Sequence, residues 1–398
     1  MYRMVGALLV WCLAIPLRAE RVVVLAFFNR TDAAALDWIG ESLAESVREA
    51  LVAAGMAVVD REALQTAYRK LSVKPLAPVT KATVLKIGEV VEADTEIFGS
   101  FRVREETGKS VLEVEAQLVD RKGLRNGPSF RAGGPLEELV ALQEEIAWQV
   151  LRALRPQSPG LEEFRKRRRA VRLDALEQYI RGLMAESPEQ KHRYFTQAAR
   201  LDASFSQPRF QLGKLLWRKK EYRVAAGWLE QVSPEDVHYP ESLFLLGLCL
   251  YYAGDYETAA LRFRALTQAS PTPEVWNNLG AAQSRLNLPE ALNSFRKALE
   301  ASPEDPVYRF NVGYALWRRG DYESAAEMFR AVLRAQPHDA VAMTMLGRCL
   351  KRSGPGRIES RVEALERLKY EWPSVPTDPD ARAELARSGK SSGRRGYN

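Results

Sequence analysis

Trp276-Asn277-Asn278-Leu279-Gly280, followed by Ala291, Phe295, Ala298 and Pro303, is one instance of a pattern that recurs along this chain. Gly280 belongs to a series, Gly213, Gly247, Gly280, Gly313 and Gly347, separated by 34, 33, 33 and 34 residues. Twelve residues beyond three of these glycines stands an alanine (Ala225, Ala259, Ala325), and sixteen beyond a large apolar residue (Leu229, Phe263, Phe329). Pro271 and Pro337 follow at twenty-four. Around Gly280 the set arrives one residue early, because the turn Leu286 to Glu290 is one residue shorter. A period in this range marks a stacked helical solenoid. Such an array presents a surface and does not enclose a catalytic pocket.

The chemistry of one unit supports this. Val307 to Trp317 and Tyr322 to Ala335 read as two helices joined by Arg319-Gly320-Asp321-Tyr322. Gly320 can adopt the left-handed conformation that ends the first helix, and Asp321 can accept the orphan amides that open the second. Ala253-Gly254-Asp255-Tyr256 repeats the device. Gly313 and Ala325 are small where the helices cross, Phe329 fills the space beside them, and Pro337 ends the second helix. This combination of spacing and residue type closely resembles the tetratricopeptide consensus over about Leu173 to Trp372, most strongly from Glu241 to Pro337. Asp174 to Ser204 reads as a degenerate first repeat carrying Gly182, Phe195 and Ala198. The last pair is expected as helices Ala340 to Ser353 and Arg357 to Trp372 around a Gly-Pro-Gly turn, with a charged second helix acting as a cap.

Residues 20–155 have a different character. Val22 to Phe28 is a continuous apolar run expected as a central strand buried on both faces. A helix over Leu36 to Ala54, a strand Met56 to Val59, and helices Arg61 to Leu71 and Thr80 to Glu92 follow. Strands Thr95 to Arg104 and Ser110 to Asp120 flank a turn with Gly108, and a helix over Leu136 to Leu154 closes the unit. In the second of these strands Leu112, Val114, Ala116 and Leu118 alternate with Glu113, Glu115 and Gln117, so one face should be wet. The order, together with Asp37-Trp38-Ile39-Gly40, Phe98-Gly99-Ser100-Phe101 and Ala116-Gln117-Leu118-Val119-Asp120, resembles the TolB-type amino-terminal domain and its FlgO-like relatives. Arg121 to Gly134 is expected to lack the longer strand usual in that family. The fold class is therefore an α+β domain, a central sheet with helices, followed by an all-α superhelical solenoid of five to six hairpins.

At the amino terminus, Met1-Tyr2-Arg3, an apolar run Met4 to Leu17 and Leu17-Arg18-Ala19 have the form of a secretory signal peptide, with cleavage expected after Ala19. The run is too short to span a bilayer comfortably. Periplasmic or secreted localisation follows as an expectation. Losing Arg3 and Arg18 lowers the net charge from +7 to +5 (7 − 2). Residues 156–172 form a junction rich in base, Arg165-Lys166-Arg167-Arg168-Arg169 with Arg172. It reads as a solvated helix face, with peripheral contact to anionic lipid headgroups as the alternative; export argues against nucleic acid. Cys249 and Cys349, three repeats apart, cannot meet disulfide geometry and read as small buried hydrophobes. Residues 373–398 lack apolar periodicity and read as a disordered tail.

His192, His238 and His338 have no Glu or Cys at metal-ligand spacing, and no nucleophile motif, phosphate-cradling loop or Cys-x-x-Cys is present. No metal, cofactor or catalytic residue is expected. The candidate site is instead a groove lined by the first helix of each repeat: Phe210, Lys214, Trp217 and Arg218; Phe244, Tyr251 and Tyr252; Asn277, Asn278 and Arg285; Tyr314, Trp317 and Arg318; Arg348 and Lys351. The set is aromatic and basic without a carboxylate, which favours an acidic or carboxylate-bearing protein or peptide. Half of the aromatics would fill space between repeats. A two-repeat clamp for a terminal carboxylate, known in some relatives, is not expected because only Asn278 matches it. The function that follows is a non-enzymatic exported scaffold serving envelope assembly or secretion. The alternative is a sensor whose first domain binds a small molecule and signals through the repeats.

Overall fold

The structure is a computed structural model describing residues 20–31, 33–106, 108–121, 125–355 and 365–372; the expected leader (1–19) and tail (373–398) lie outside them. The first domain is a mixed sheet of β1 (Arg21–Val24), β2 (Phe28–Asn29), β3 (Ala57–Val58), β4 (Thr95–Glu106), β5 (Lys109–Asp120) and β6 (Arg125–Pro135). The strand order is β3-β1-β4-β5-β6, with β2 also on β4. β1 lies parallel to β3 and β4, whereas β4, β5 and β6 run antiparallel. The apolar run Val22 to Phe28 does not remain one strand: it breaks into β1 and β2, both pairing with β4. Val22 and Val24 face one core, Val23 and Leu25 the other, which accounts for the unbroken hydrophobicity. Helices α1 (Asp37–Ala53) and α4 (Leu139–Leu154) cover the first face, and α2 (Arg61–Leu71) and α3 (Lys81–Val90) the second.

The expected lack of a strand between Arg121 and Gly134 is corrected by β6, eleven residues paired with β5 from Val111↔Pro135 to Asp120↔Arg125. Proline and glycine weaken a strand locally, but they are tolerated at a sheet edge, which is where β6 lies.

A short α5 (Leu161–Lys166) leads to the helical hairpins: α6 (Leu173–Met184) with α7 (Pro188–Leu201), α8 (Gln207–Arg218) with α9 (Tyr222–Leu229), α10 (Tyr239–Ala253) with α11 (Tyr256–Ala269), α12 (Pro273–Arg285) with α13 (Ala291–Ala301), and α14 (Pro306–Arg318) with α15 (Tyr322–Ala335). A single helix, α16 (Ala340–Leu350), follows. Gly254 and Gly320 adopt φ of 88° and 81°, and Asp255 and Asp321 accept the Thr258 and Ser324 amides at 3.1 and 3.2 Å, as the turn chemistry predicts. Gly213, Gly247 and Gly280 stand where no side chain fits. A β-carbon at Gly247 or Gly280 would come within 2.7 Å of the Phe263 or Phe295 ring, and at Gly213 within 2.4 Å of Leu229.

The last hairpin departs from the prediction. Residues 356–364 lie outside the described residues, and Leu365 to Trp372 are not helical. At the other end, Tyr179, Ile180 and Phe195 of the first hairpin share one hydrophobic core with α1 and α4.

Candidate functional site: a groove holding an extended segment

Successive first helices touch one another, α8 to α10, α10 to α12, α12 to α14 and α14 to α16, so their side chains form one continuous lining. Leu365-Glu366-Arg367-Leu368-Lys369-Tyr370-Glu371-Trp372 lies along it in extended form, running against the repeat order. Asn278 and Asn311 occupy the same place, two residues before the repeat glycine, in consecutive repeats. Each grips one residue of the segment twice. The Asn278 amide donates to the Lys369 carbonyl at 2.8 Å, and its oxygen accepts the Lys369 N–H at 2.9 Å. Asn311 donates to the Arg367 carbonyl at 2.7 Å and accepts the Arg367 N–H at 2.8 Å. Asn277 adds a bond to the Arg367 carbonyl at 2.8 Å, and its oxygen accepts from Asn311 at 2.7 Å. All three asparagines are 0% exposed. Helix interiors disfavour asparagine; here each amide is satisfied by main chain that the helix itself cannot supply.

Side-chain contacts flank these bonds. Glu366 is buried, accepting from the Ser284 hydroxyl at 2.7 Å, with an Arg318 guanidinium nitrogen at 3.9 Å. Arg318 also donates to the Ser284 carbonyl at 2.8 Å. Arg367 lies 3.6 Å over the Phe310 ring and pairs with Asp339 at 2.7 Å. Lys369 sits over Tyr308 and pairs with Asp305 at 2.6 Å. Tyr370 and Tyr252 share a hydroxyl hydrogen bond of 2.7 Å, and Trp372 meets Phe244 edge-on at 5.5 Å. Burial, reinforced by the bond to Tyr370, holds the Tyr252 phenol well above its ordinary range.

The expectation of a lining without carboxylates is thereby corrected. Asp305 and Asp339 cap the first turns of α14 and α16 from the preceding loops, outside the helix faces where basic residues were read. The lining is of mixed charge, and the segment within it carries two acids and two bases. Asn311, Tyr308, Asp305 and Asp339 are contacts that the candidate set omitted. The 33-residue step between Asn278 and Asn311 is the signal that points to the first of them.

The other candidates are distributed as follows. Trp217, Tyr222, Tyr252 and Tyr370 form one aromatic cluster. Tyr251 packs on Tyr252 and Tyr256, and Arg285 lies over Tyr256. Tyr314 and Trp317 are buried and stacked together, the Trp317 indole donating to the Ser353 carbonyl and Arg348 lying over its ring. Phe210 is buried against His238, and Lys214 pairs with Glu241 at 3.0 Å. Arg218 turns away to the first domain and pairs with Glu62. Lys351 is exposed beyond the end of α16. The structure thus brings Phe244, Tyr252, Asn277, Asn278 and Arg318 to the segment directly, with Trp217 reaching it through Tyr370.

Elsewhere, the basic junction is met by acids: Arg168 pairs with Glu49 at 3.1 Å, Arg169 with Glu235 at 3.3 Å and Arg172 with Asp174 at 2.8 Å. An open depression of about 490 Å³ on the outer strands includes Arg104 and Arg131, paired with Glu113 and Glu115 at 3.3 and 2.8 Å. Among the described residues no cluster of His, Cys, Asp and Glu could hold a metal ion, and no helix is long and apolar enough to cross a membrane.

The tetratricopeptide repeat family model matches four overlapping stretches, residues 210–273, 244–306, 281–340 and 310–376. The chain therefore carries tetratricopeptide repeats, and the match spans residues 210–376, less than half of its length. A peroxisomal targeting signal receptor from Candida glabrata is 30% identical over 90 residues, 22% of this chain and 15% of that protein. The chain thus spans about one-seventh of the length of this curated relative. Among solved structures, a MamA fragment from Desulfovibrio magneticus RS-1 is 24% identical, covering 43% of this chain and 100% of its own, with a TM-score of 0.39. YrrB, described as a tetratricopeptide protein with an unusual peptide-binding site, is 22% identical over 50% of this chain and 97% of its own, with a TM-score of 0.35.

Proposed function

We propose that this protein is an exported scaffold that holds an extended segment of another protein along its tetratricopeptide groove. The observation that carries this reading is the paired gripping of main chain at Lys369 and Arg367 by the buried amides of Asn278 and Asn311. Amide-to-backbone bonds of this kind are indifferent to side-chain identity and contribute about 1 kcal/mol each, so the same groove can accept main chain from elsewhere. Export rests on the leader-like Met1 to Ala19. Partner recognition by a repeat surface agrees with the likeness to a peroxisomal targeting signal receptor over 90 residues.

A photo-crosslinking residue at Tyr252, which lines the groove and is 40% exposed, tests this against one at Leu261, 61% exposed on the second helix of the same hairpin. Partner adducts in cells should form from position 252 and not from 261, on a chain whose amino terminus is Glu20. Equal or absent adducts from the two positions would remove the groove as the binding face, and an intact Met1 would remove export.

A further inference from the structure

We propose, resting on the groove reading above, that the partner segment is an extended peptide with an acidic–basic–apolar–basic–aromatic series, and that residues 365–372 of this chain compete with it in cis. The main-chain geometry sets the register. Asn278 holds Lys369 and Asn311 holds Arg367, so one hairpin reads two residues of extended chain. A strand rises about 6.6 Å over two residues, which is the step that consecutive first helices must supply for both grips to close together. The side chains set the preference. A carboxylate at the position of Glu366 receives the Ser284 hydroxyl and faces Arg318. Cations at 367 and 369 lie over aromatic rings and meet Asp339 and Asp305. Leu368 is buried between them, and Tyr370 joins Tyr252.

Leu365 to Trp372 lie in the groove as a ligand would: they are not helical, and their main chain is held by side chains of α12 and α14. The cationic side chains of Arg367 and Lys369 retain 24% and 27% exposure, an edge open to solvent from which release can begin. A tethered segment has an effective concentration on the order of millimolar. A free peptide of micromolar affinity, competing with a tethered segment of the same affinity, is therefore expected to bind the intact chain ~10³-fold more weakly than a chain whose segment has been expelled.

The test uses the full chain and an end-blocked, fluorescent octapeptide of the sequence 365–372, with a scrambled control. Arg367→Asp with Lys369→Asp sets like charges against Asp339 and Asp305 and should expel the segment. Anisotropy should then show the octapeptide binding this variant ~10³-fold more tightly than the unaltered chain, and adding Asn278→Ala and Asn311→Ala should abolish it. A second peptide with Glu changed to Lys at its second position should bind weakly to the same folded variant, which keeps the test independent of any loss of folding in the asparagine variants. Equal affinities for the unaltered and charge-reversed chains would overturn competition in cis, as would a dimer by sedimentation that the octapeptide dissociates. No binding to the charge-reversed chain, or full binding of the Lys-containing peptide, would overturn the proposed sequence preference. Groove crosslinks from Tyr252 would survive any of these failures, so the two readings fail separately.

Discussion

Alanine should act in opposite directions at Gly280 and Gly227. Both lie inside helices, α12 and α9, where replacing glycine by alanine favours the helix by about 0.5–1 kcal/mol. At Gly227, an exposed position, nothing among the described residues opposes this, since a β-carbon meets no atom within 4 Å. At Gly280 the same carbon would lie 2.7 Å from Cδ1 and 2.8 Å from Cε1 of Phe295, a ring with 0% exposure. Forcing a methyl group into so tight a contact costs about 1–3 kcal/mol. Gly280→Ala should therefore destabilise its hairpin by about 1–2 kcal/mol, whereas Gly227→Ala should stabilise α9 by about 0.5–1 kcal/mol. Repeat arrays need not unfold in a single step, so the suitable assay is native-state hydrogen exchange. It resolves the opening of α12 and α13 separately from that of α9. If Gly227→Ala loosened α9 as much as Gly280→Ala loosens α12, the cost at Gly280 would not come from the Phe295 contact, and the packing argument would be wrong.

Three further outcomes are expected. Glu96 is buried with neither carboxylate oxygen hydrogen-bonded; burial, offset in part by Arg121, pushes it up to about 7 from 4.5. Its contribution to stability is thus complete below about 4.5 and lost as pH rises through 7; Glu96→Gln should resist urea better than the unaltered chain at pH ~8 but not at pH ~4.5, and parallel pH profiles would refute this. Arg318→Glu should release the segment by placing a second carboxylate beside Glu366, whereas Arg330→Glu, reversing a surface charge paired only with neighbouring Glu327 in the same helix, should not; Trp372 fluorescence reads the difference, and equal release by both would argue against the groove contact. Burial pushes the Cys249 thiol up to about 12, so iodoacetamide at pH ~8 should label it only after denaturation, and rapid labelling of the native chain would contradict its place in the core.

What the sequence disclosed was local, and what it hid was not. Gly280 with Phe295, or Gly320 with Asp321, carries its meaning in spacing alone, because the interacting groups belong to one hairpin. Leu365, Leu368 and Trp372 also stand at helical spacing, i, i+3 and i+7, and therefore read as a helix. The surface that draws them out straight comes from residues about 90 positions earlier, at Asn277 and Asn278. The same holds for β6. Gly127, Pro128, Gly133 and Gly134 read as a loop, and the pairing that makes them a strand belongs to β5. Of the groove, the aromatic and arginine positions were legible as a stripe on first helices. The role of the asparagines was not, because a buried amide declares its purpose only when its main-chain partner is known.

Tyr179 and Phe195, shared between the first hairpin and helices α1 and α4, have a consequence for any attempt to take this molecule apart. A free-standing array needs a polar outer face at each end, and here the amino-terminal end has none of its own. The sheet domain supplies that lid. A chain begun at Leu173 would bare the aromatic wall that α1 now covers and should aggregate or fray from that end. The smallest soluble piece that contains the groove is thus expected to contain the sheet as well, and a change in the sheet domain bears on a core that the first repeat shares.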